Sequence, residues 1–114
     1  MCVCGTRYTN ESGLAVSFGN FWKTVATRFK NATNILAFEL LNEPFAGNFY
    51  KEPLLMYPGR ADLLRLQPFY DIVAPLLREG DPSRLIMFES CTWSDEFGCV
   101  FARKSRVRRS ASAA

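Results

Sequence analysis

Histidine is absent from this sequence of 114 residues, and cysteine occurs four times. The four cysteines form two close pairs, Cys2 with Cys4 and Cys91 with Cys99, separated by one residue and by seven residues. Zinc sites in proteins combine cysteine with histidine, or group four cysteines at short regular spacings. We therefore expect no metal site and no other cofactor. The spacing leaves the pairing of the cysteines open, and ordinary thiols are the simpler interpretation.

Long apolar runs are also missing. No segment approaches the roughly 20 apolar residues that cross a bilayer. Residues 1–20 lack the basic start and apolar core of a signal peptide. From the chain as written we expect no membrane span and no export signal, so these features assign no compartment. Hydrophobic residues make up 48% of the chain and aromatic residues 14%, which is typical of one small globular unit.

Charge of one sign dominates only at the carboxyl terminus. The formal net charge is +3, and five of the fourteen basic residues lie in residues 103–109. The rest of the chain has nine basic against eleven acidic residues. A basic cluster beside serine and alanine is usually a solvated extension. We expect no nucleic-acid partner; a nucleic-acid or anionic-membrane binder working through this tail is the weaker alternative.

The apolar pattern predicts an alternation of helices and strands. Residues 1–16 show no sustained period, and aromatic and aliphatic residues then recur at helical steps, with Trp22 and Phe29 expected in the core and an end near Asn31. Residues 35–41 are a short apolar run interrupted only by Glu39, which predicts a strand buried on both faces. Residues 45–59 predict a long aromatic loop.

A second helix and a second strand follow. Residues 61–66 and 68–79 are helical in pattern, and Pro75 predicts a kink or a break because proline removes a backbone hydrogen bond. Residues 85–88 read as another buried strand, closed by Glu89. The order helix, strand, helix, strand predicts an α/β fold with parallel strands joined by crossover helices. A complete (β/α)8 barrel takes about 250 residues, so the chain corresponds to between a quarter and a half of one.

The triplet Asn42-Glu43-Pro44 at the end of the first predicted strand is the candidate catalytic motif. Breaking a glycosidic bond needs one carboxyl group as the acid and a second carboxylate on the other side of the sugar. In a regular strand Glu43 shares a face with Glu39, with Glu43 at the mouth of a barrel and Glu39 deeper, paired with an arginine. The amide of Asn42 suits a sugar hydroxyl. Alone the triplet is a weak signal, and its place between a buried strand and an aromatic loop strengthens it.

Many segments in the same order resemble the endoglycoceramidases of glycoside hydrolase family 5. These segments are Phe21-Trp22, Val25-Ala26, Phe29-Lys30, residues 34–48, Pro53-Leu54-Leu55, Pro58-Gly59, Ala61-Asp62, residues 66–71, residues 85–89 and Thr92-Trp93. The resemblance spans about residues 18–98. It implies an α/β fold that is a partial (β/α)8 TIM barrel, roughly helix 3 through strand 5, in which residues 35–43 form the fourth strand.

The resemblance also implies a function. It implies a retaining hydrolase that cuts between the oligosaccharide and the ceramide of glycosphingolipids, with Glu43 as the catalytic acid/base. We expect Asn42, Trp93 and Glu89 to bind substrate, with Glu89 a rim residue rather than the nucleophile. The expected partner is a glycosphingolipid or another β-glycoside, with membrane contact only through the lipid substrate. A secreted or lysosomal location follows from the family, and no oligomeric state does.

The departures from the family predict a three-part chain. The family's nucleophilic glutamate ends the seventh strand, and this sequence stops before any equivalent, so we expect an inactive fragment of a longer enzyme. Residues 1–17 form a poorly ordered segment, 18–98 the partial barrel, and 99–114 a basic Ser/Ala-rich tail unlike the family. The alternative is a non-catalytic remnant or a carbohydrate- or lipid-binding piece, which the missing nucleophile favours for the chain in isolation.

Overall fold

A computed structural model of the chain describes residue 8 and residues 10–45 and 47–91. Helix α1 spans Leu14–Phe29, strand β1 Ala37–Glu39, helix α2 Gln67–Gly80 and strand β2 Leu85–Met87. A 3-10 turn at Pro53–Met56 and a π-helical turn at Asp62–Leu66 lie between β1 and α2. The predicted order of helix, strand, helix and strand is confirmed. Cys2, Cys4, Cys99, Trp93 and the tail at 99–114 lie outside the described residues.

The two strands pair in parallel, as predicted. Ala37 is opposite Leu85, Phe38 opposite Ile86 and Glu39 opposite Met87. One residue after these three pairs, the amide of Leu40 donates a hydrogen bond to the carbonyl of Met87 at 3.4 Å. Each strand has three residues, which is shorter than the predicted runs. Because parallel strands run in the same direction, the segments that follow β1 and β2 leave the sheet at the same edge.

Within the described residues, only one face of the sheet is covered. Phe38 and Leu40 are buried, at 5% and 2% exposure, on the side of the helices. On the other face, Leu85 and Met87 are 61% and 54% exposed, and Glu39 is exposed. The prediction of a strand buried on both faces is therefore wrong for this chain. The reason is that both helices cross to the same side, so the described residues offer nothing to cover the other face.

Small residues let the two helices approach closely. Ala15, Gly19 and Ala26 are buried along α1. A Cβ added at Gly80 of α2 would lie 2.5 Å from the main-chain oxygen of Lys23, closer than real Cβ atoms approach. Trp22 packs on the ring of Phe38 at 5.8 Å between centroids. The backbones therefore define this interface, and the aromatic side chains of α1 lie beside it.

Three sequence expectations for the helices differ from the structure. Phe29 is 43% exposed rather than in the core, because α1 ends at this residue, two residues before the predicted end near Asn31. The start is earlier than predicted, at Leu14, where Gly13 turns at φ 70°. The side chain of Asn10 accepts hydrogen bonds from the amides of Ala15 and Val16 at 3.1 and 3.3 Å. These bonds satisfy amides that have no partner within the helix.

Of the kink or break expected at Pro75, the break is wrong. Helix α2 continues from Gln67 to Gly80 with Pro75 inside it. Pro75 and Asp71 are both exposed. The carbonyl that loses its partner, four residues before the proline, therefore belongs to an exposed residue and can bond water instead.

An arginine joins the opposite edge of the sheet to the helices. Arg84 donates to the carbonyls of Phe29 and Lys30 at 3.1 and 2.8 Å, and also to the carbonyl of Ile35. Its guanidinium lies 5.5 Å from the ring centroid of Phe38. The end of α1 and the approach to β1 are thus fixed relative to the start of β2.

None of the helices in the described part of the chain is long and apolar enough to cross a membrane.

Candidate active site

Two glutamates follow the strands at the shared carboxyl edge of the sheet. Glu43 comes four residues after the end of β1, and Glu89 comes two residues after the end of β2. The main-chain amide of Glu43 donates a hydrogen bond of 2.7 Å to Oε2 of Glu89. This bond connects the segments that follow the two strands. Catalytic groups of barrel enzymes gather at this edge of the sheet.

The backbone of Glu43 has an uncommon conformation. Its φ is 43°, in the left-handed region that residues with a side chain rarely adopt. Pro44 follows, and a residue before proline is normally pushed towards extended backbone. The regular strand geometry assumed from the sequence therefore does not extend to Glu43. A turn, and not the pleat of the strand, sets the direction of the Glu43 side chain.

The segment that carries Glu89 is tied to α2 by a buried tyrosine. The hydroxyl of Tyr70 donates to the main-chain carbonyl of Glu89 at 2.8 Å. Tyr70 is 3% exposed, and its ring meets that of Phe88 edge-on at 5.0 Å. Burial raises the pKa of the Tyr70 hydroxyl above its ordinary value of 10.0, so the hydroxyl keeps its proton as a donor.

A buried aspartate holds the same segment two residues later. Oδ1 of Asp62, in the π-helical turn, accepts a hydrogen bond from the amide of Cys91 at 2.8 Å. Asp62 is 3% exposed and Cys91 is 2% exposed. Buried carboxylates are expensive unless they are hydrogen-bonded, so this contact is a strong constraint on the chain after β2.

The predicted site residues fall into three groups. Glu43 and Asn42 are adjacent and exposed, and Glu89 is half-buried beside them. Trp93 lies outside the described residues. Glu39, expected to be a buried acid paired with an arginine, is exposed and has no salt bridge within residues 10–45 and 47–91. That expectation is wrong because the face of the sheet that carries Glu39 is uncovered in this chain.

The predicted aromatic loop follows Pro44. The ring of Phe49 lies 5.9 Å from that of Phe45 and 4.4 Å from that of Tyr50. Tyr50 is 86% exposed and Tyr57 is 67% exposed. A cavity of ≈ 290 Å³ opens further along this loop, lined by Leu54, Tyr57 and Arg60. The loop thus contains rings that pack on each other and rings that face solvent.

Tyr70 and Asp62 are the site residues that the sequence reasoning missed. Both lie in segments correctly predicted to be helical, where a tyrosine reads as core and an aspartate as a solvated charge. A signal was present, because Asp62 lies between Ala61 and Leu63 and Tyr70 shares a helical face with Leu66 and Val73. Among the described residues no group of acidic, cysteine or histidine side chains could hold a metal ion.

Comparison with known proteins gives similar relatives of much greater length. The chain is 42% identical over 96 residues to an endoglycoceramidase of Cyanea nozakii. The matched stretch covers 84% of this chain and 19% of that protein. It is 44% identical over 86 residues to an endoglycoceramidase of Hydra vulgaris, which covers 75% of this chain and 17% of that protein. The chain therefore spans about a fifth of the length of these relatives. No solved structure matches the chain significantly.

A family description also matches, and it covers nearly the entire sequence. The sequence model of the family described as Cellulase (glycosyl hydrolase family 5) matches residues 2–110. This range extends beyond residues 18–98, over which the quoted segments carry the resemblance. The family implies a (β/α)8 barrel, and the helices and two-stranded parallel sheet of this chain are consistent with part of one. The chain belongs to glycosyl hydrolase family 5 and resembles its endoglycoceramidases.

Proposed function

We propose that the protein to which this chain belongs is a retaining glycoside hydrolase in which Glu43 is the general acid/base. The observation that carries the proposal is the position of Glu43. It lies at the carboxyl edge of a parallel sheet, four residues after the end of β1, in a chain that belongs to a family of glycosyl hydrolases. That edge is where barrel enzymes hold their reacting groups.

The chemistry assigns Glu43 two successive steps. In the first, its carboxyl group gives a proton to the glycosidic oxygen while a second carboxylate forms a bond to the anomeric carbon and the leaving group departs. In the second, the Glu43 carboxylate takes a proton from a water molecule, and this water displaces the second carboxylate from the anomeric carbon. The nucleophile is not assigned to any residue of this chain. Glu89 is a poor candidate, because the resemblance implies a nucleophile at the end of the seventh strand, whereas Glu89 follows the strand next to β1.

The substrate we propose is a glycosphingolipid, cut between the oligosaccharide and the ceramide. Support comes from the two endoglycoceramidases that are 42% and 44% identical to the chain. Asn42, exposed beside Glu43, offers an amide that can bond a sugar hydroxyl. Trp93 is proposed to stack on a sugar ring, as aromatic side chains do in carbohydrate sites.

A chimeric enzyme tests the role of Glu43. The matched segment of the Hydra vulgaris endoglycoceramidase is replaced by the corresponding residues of this chain, and release of oligosaccharide from a glycosphingolipid is measured. Glu43→Gln should lower kcat about 10²- to 10⁴-fold, the usual contribution of a general acid/base. Glu11→Gln, an exposed substitution before α1, is the matched control. A folded chimera without activity, or a Glu43→Gln variant with near-normal turnover, contradicts the proposal.

For the isolated chain we propose that catalysis is absent. The described residues supply two strands and leave one face of the sheet open, whereas the site of a (β/α)8 barrel is built from the loops that follow eight strands. The purified 114-residue chain, incubated with labelled glycosphingolipid, should release no oligosaccharide. Specific release would show that the chain contains a complete site.

A second candidate function is carbohydrate or lipid binding without turnover. The exposed rings of Tyr50 and Tyr57 in the loop after Pro44 favour it, because exposed aromatic side chains commonly contact sugars and lipids. Retention of the isolated chain on glycolipid vesicles, reduced by a Tyr50→Ala, Tyr57→Ala double variant, would support this function. Equal retention on vesicles without glycolipid would exclude specific recognition.

A further inference from the structure

We propose that Glu89 is a positioning residue for Glu43, and that Tyr70 and Asp62 hold Glu89 in place for this role. The inference rests on the proposed function of Glu43 as the acid/base. It gives Glu89 a role different from the substrate contact that the sequence indicated. It also connects the π-helical turn and helix α2 to the backbone of Glu43 through three hydrogen bonds.

The first step of the argument is the strained backbone at Glu43. A left-handed backbone is strained for a residue other than glycine, and it persists only where its surroundings impose it. Glu43 has this conformation immediately before Pro44. Such a turn would relax towards extended backbone if nothing held it, and the carboxyl group of Glu43 would then point elsewhere.

The second step is the contact that holds the turn. Oε2 of Glu89 accepts the amide hydrogen of Glu43 itself, at 2.7 Å. An ionised carboxylate accepting from an amide forms a short, charge-assisted bond, which is stronger than a bond between neutral groups. The bond acts on the backbone of Glu43 and leaves both oxygens of its side chain available to the substrate. Glu89 therefore acts on the direction of the Glu43 side chain.

The third step is that the main chain at Glu89 is itself fixed by two hydrogen bonds. The Tyr70 hydroxyl bonds its carbonyl at 2.8 Å, and Asp62 bonds the amide of Cys91, two residues further, at 2.8 Å. Tyr70 and Asp62 are both 3% exposed and lie in one continuous helical stretch, the π-helical turn and α2. A side chain that has to place a catalytic group is effective only when its own main chain is held by packing and hydrogen bonds.

The contact can be tested on the 114-residue chain without any activity. In an amide NMR spectrum, Glu89→Gln should move the Glu43 signal towards the position of an amide bonded to a neutral acceptor, and should raise its hydrogen-exchange rate at least about threefold. Tyr70→Phe, which keeps the ring and removes the hydroxyl, should raise the same rate. Glu11→Gln and Tyr57→Phe, both at exposed residues, are the matched controls and should leave the Glu43 signal unchanged. An unchanged Glu43 amide in Glu89→Gln overturns the inference.

The catalytic consequence is measured in the chimera described above. Misplacement of a reacting group costs turnover and not binding, so Glu89→Gln should lower kcat about 10- to 100-fold with KM within about twofold of the parent. Tyr70→Phe should lower kcat in the same sense by a smaller factor.

The outcomes separate this inference from the proposal on which it rests. If Glu43→Gln is inactive while Glu89→Gln turns over normally, the inference is overturned and the role of Glu43 stands. A rise in KM with unchanged kcat in Glu89→Gln would instead identify Glu89 as a substrate contact and also overturn it. If Glu43→Gln stays active, the proposed function is wrong and the inference falls with it, whatever the amide signal shows.

Discussion

The carboxylate of Asp81 lies 3.0 Å from Nε of Arg84, and both side chains are nearly inaccessible to solvent, at 1% and 11% exposure. Asp81 also accepts the amides of Ser83 and Arg84 at 3.1 Å and the hydroxyl of Ser83 at 3.0 Å. Arg84 uses its remaining nitrogens on carbonyls at the end of α1 and before β1. This pair anchors the amino-terminal edge of the sheet, opposite Glu43.

Removing Arg84 should destabilise the chain severely. Arg84→Ala leaves the buried carboxylate of Asp81 without its cation and frees three carbonyls, so we expect the free energy of unfolding to fall by about 3 kcal/mol or more. Arg84→Lys should recover part of this loss, because one ammonium group cannot replace the guanidinium fork. Urea unfolding followed by circular dichroism measures both, with the exposed Lys51→Ala as control. A loss below about 1 kcal/mol, the range of surface ion pairs, would contradict the anchoring role.

The same pair predicts an acid-dependent stability. Burial opposes ionisation of Asp81, but the hydrogen bonds from Ser83 and Arg84 outweigh it and lower the pKa from 3.8 to about 2. The unfolded chain therefore binds the proton first, and stabilisation is full above about pH 5 and is lost as the pH falls towards 2. The shift corresponds to about 2 kcal/mol.

Asp81→Asn isolates this effect from the other carboxyl groups. The difference in unfolding free energy between the wild-type chain and Asp81→Asn should shrink by about 2 kcal/mol between pH 6 and pH 2. The measurement is a series of urea denaturations at fixed ionic strength. A difference that stays constant over this range would show that the pKa of Asp81 is the same in the folded and unfolded chains.

Two glycines at the helix interface should respond differently to alanine. At Gly80 the new Cβ would lie 2.5 Å from a main-chain oxygen, which can move only with the helix. At Gly19 it would lie 2.4 Å from Cδ1 of Leu76, the end of a flexible side chain. We expect Gly80→Ala to cost about 1–3 kcal/mol by overpacking. Gly19→Ala should cost less, because Leu76 can rotate and alanine favours the helix by about 1 kcal/mol. Thermal unfolding compares them, and the reverse order would contradict the close backbone contact.

The buried hydroxyl of Tyr70 predicts a loss of stability in alkali. Its pKa is raised by burial, so above pH 10 the unfolded chain releases this proton while the folded chain keeps it. Stability is therefore complete below about pH 10 and decreases as the pH rises further. Tyr70→Phe should show a smaller alkaline decrease than the wild-type chain, and Tyr57→Phe should match the wild-type chain. Parallel pH profiles for the wild type and Tyr70→Phe would show that Tyr70 is not buried.

The open face of the sheet predicts self-association of the isolated chain. Leu85 and Met87 are more than half exposed on a two-stranded sheet, and exposed apolar strand surface promotes association. Met87→Lys places a cation opposite Glu39 in the register and should reduce both light scattering and dye binding. Its unfolding free energy should change by less than about 0.5 kcal/mol, as is usual for surface positions. If Met87→Lys leaves self-association unchanged, the surface that causes association lies elsewhere on the chain.

The sequence predicted the helices better than the contacts between them. The spacing of aromatic residues in α1 correctly predicted a helix. It placed the middle of the buried face of this helix at the wrong residues. Phe21 and Phe29 are exposed, while Ala15, Gly19 and Ala26 form the contact. Hydrophobic periodicity gives weight to large side chains, whereas close helix packing selects small ones.

For the candidate site too, the sequence predicted the individual residues better than the contacts between them. The sequence identified Glu43 from a three-residue motif and its context, and Glu89 from the end of the second strand. It gave no indication that the two residues bond, nor that Tyr70 and Asp62 support the second one. The bond joins residues 46 positions apart, and a pattern of local periodicity contains no information about such a pair.

The resemblance of many segments in the same order identified the family, and with it the role expected of Glu43. The order of helices and strands and their parallel pairing were also determined by the sequence. These follow from local periodicity, turn residues and short motifs, all of which act within about a dozen neighbouring positions. Only the tertiary structure decided which face of the sheet is covered, how Arg84 joins both strands to α1, and how the backbone of Glu43 turns. Arg84 reaches carbonyls 49 to 55 positions earlier in the chain. Contacts at that separation form only when the whole chain folds, because their geometry depends on the packing of every element between them.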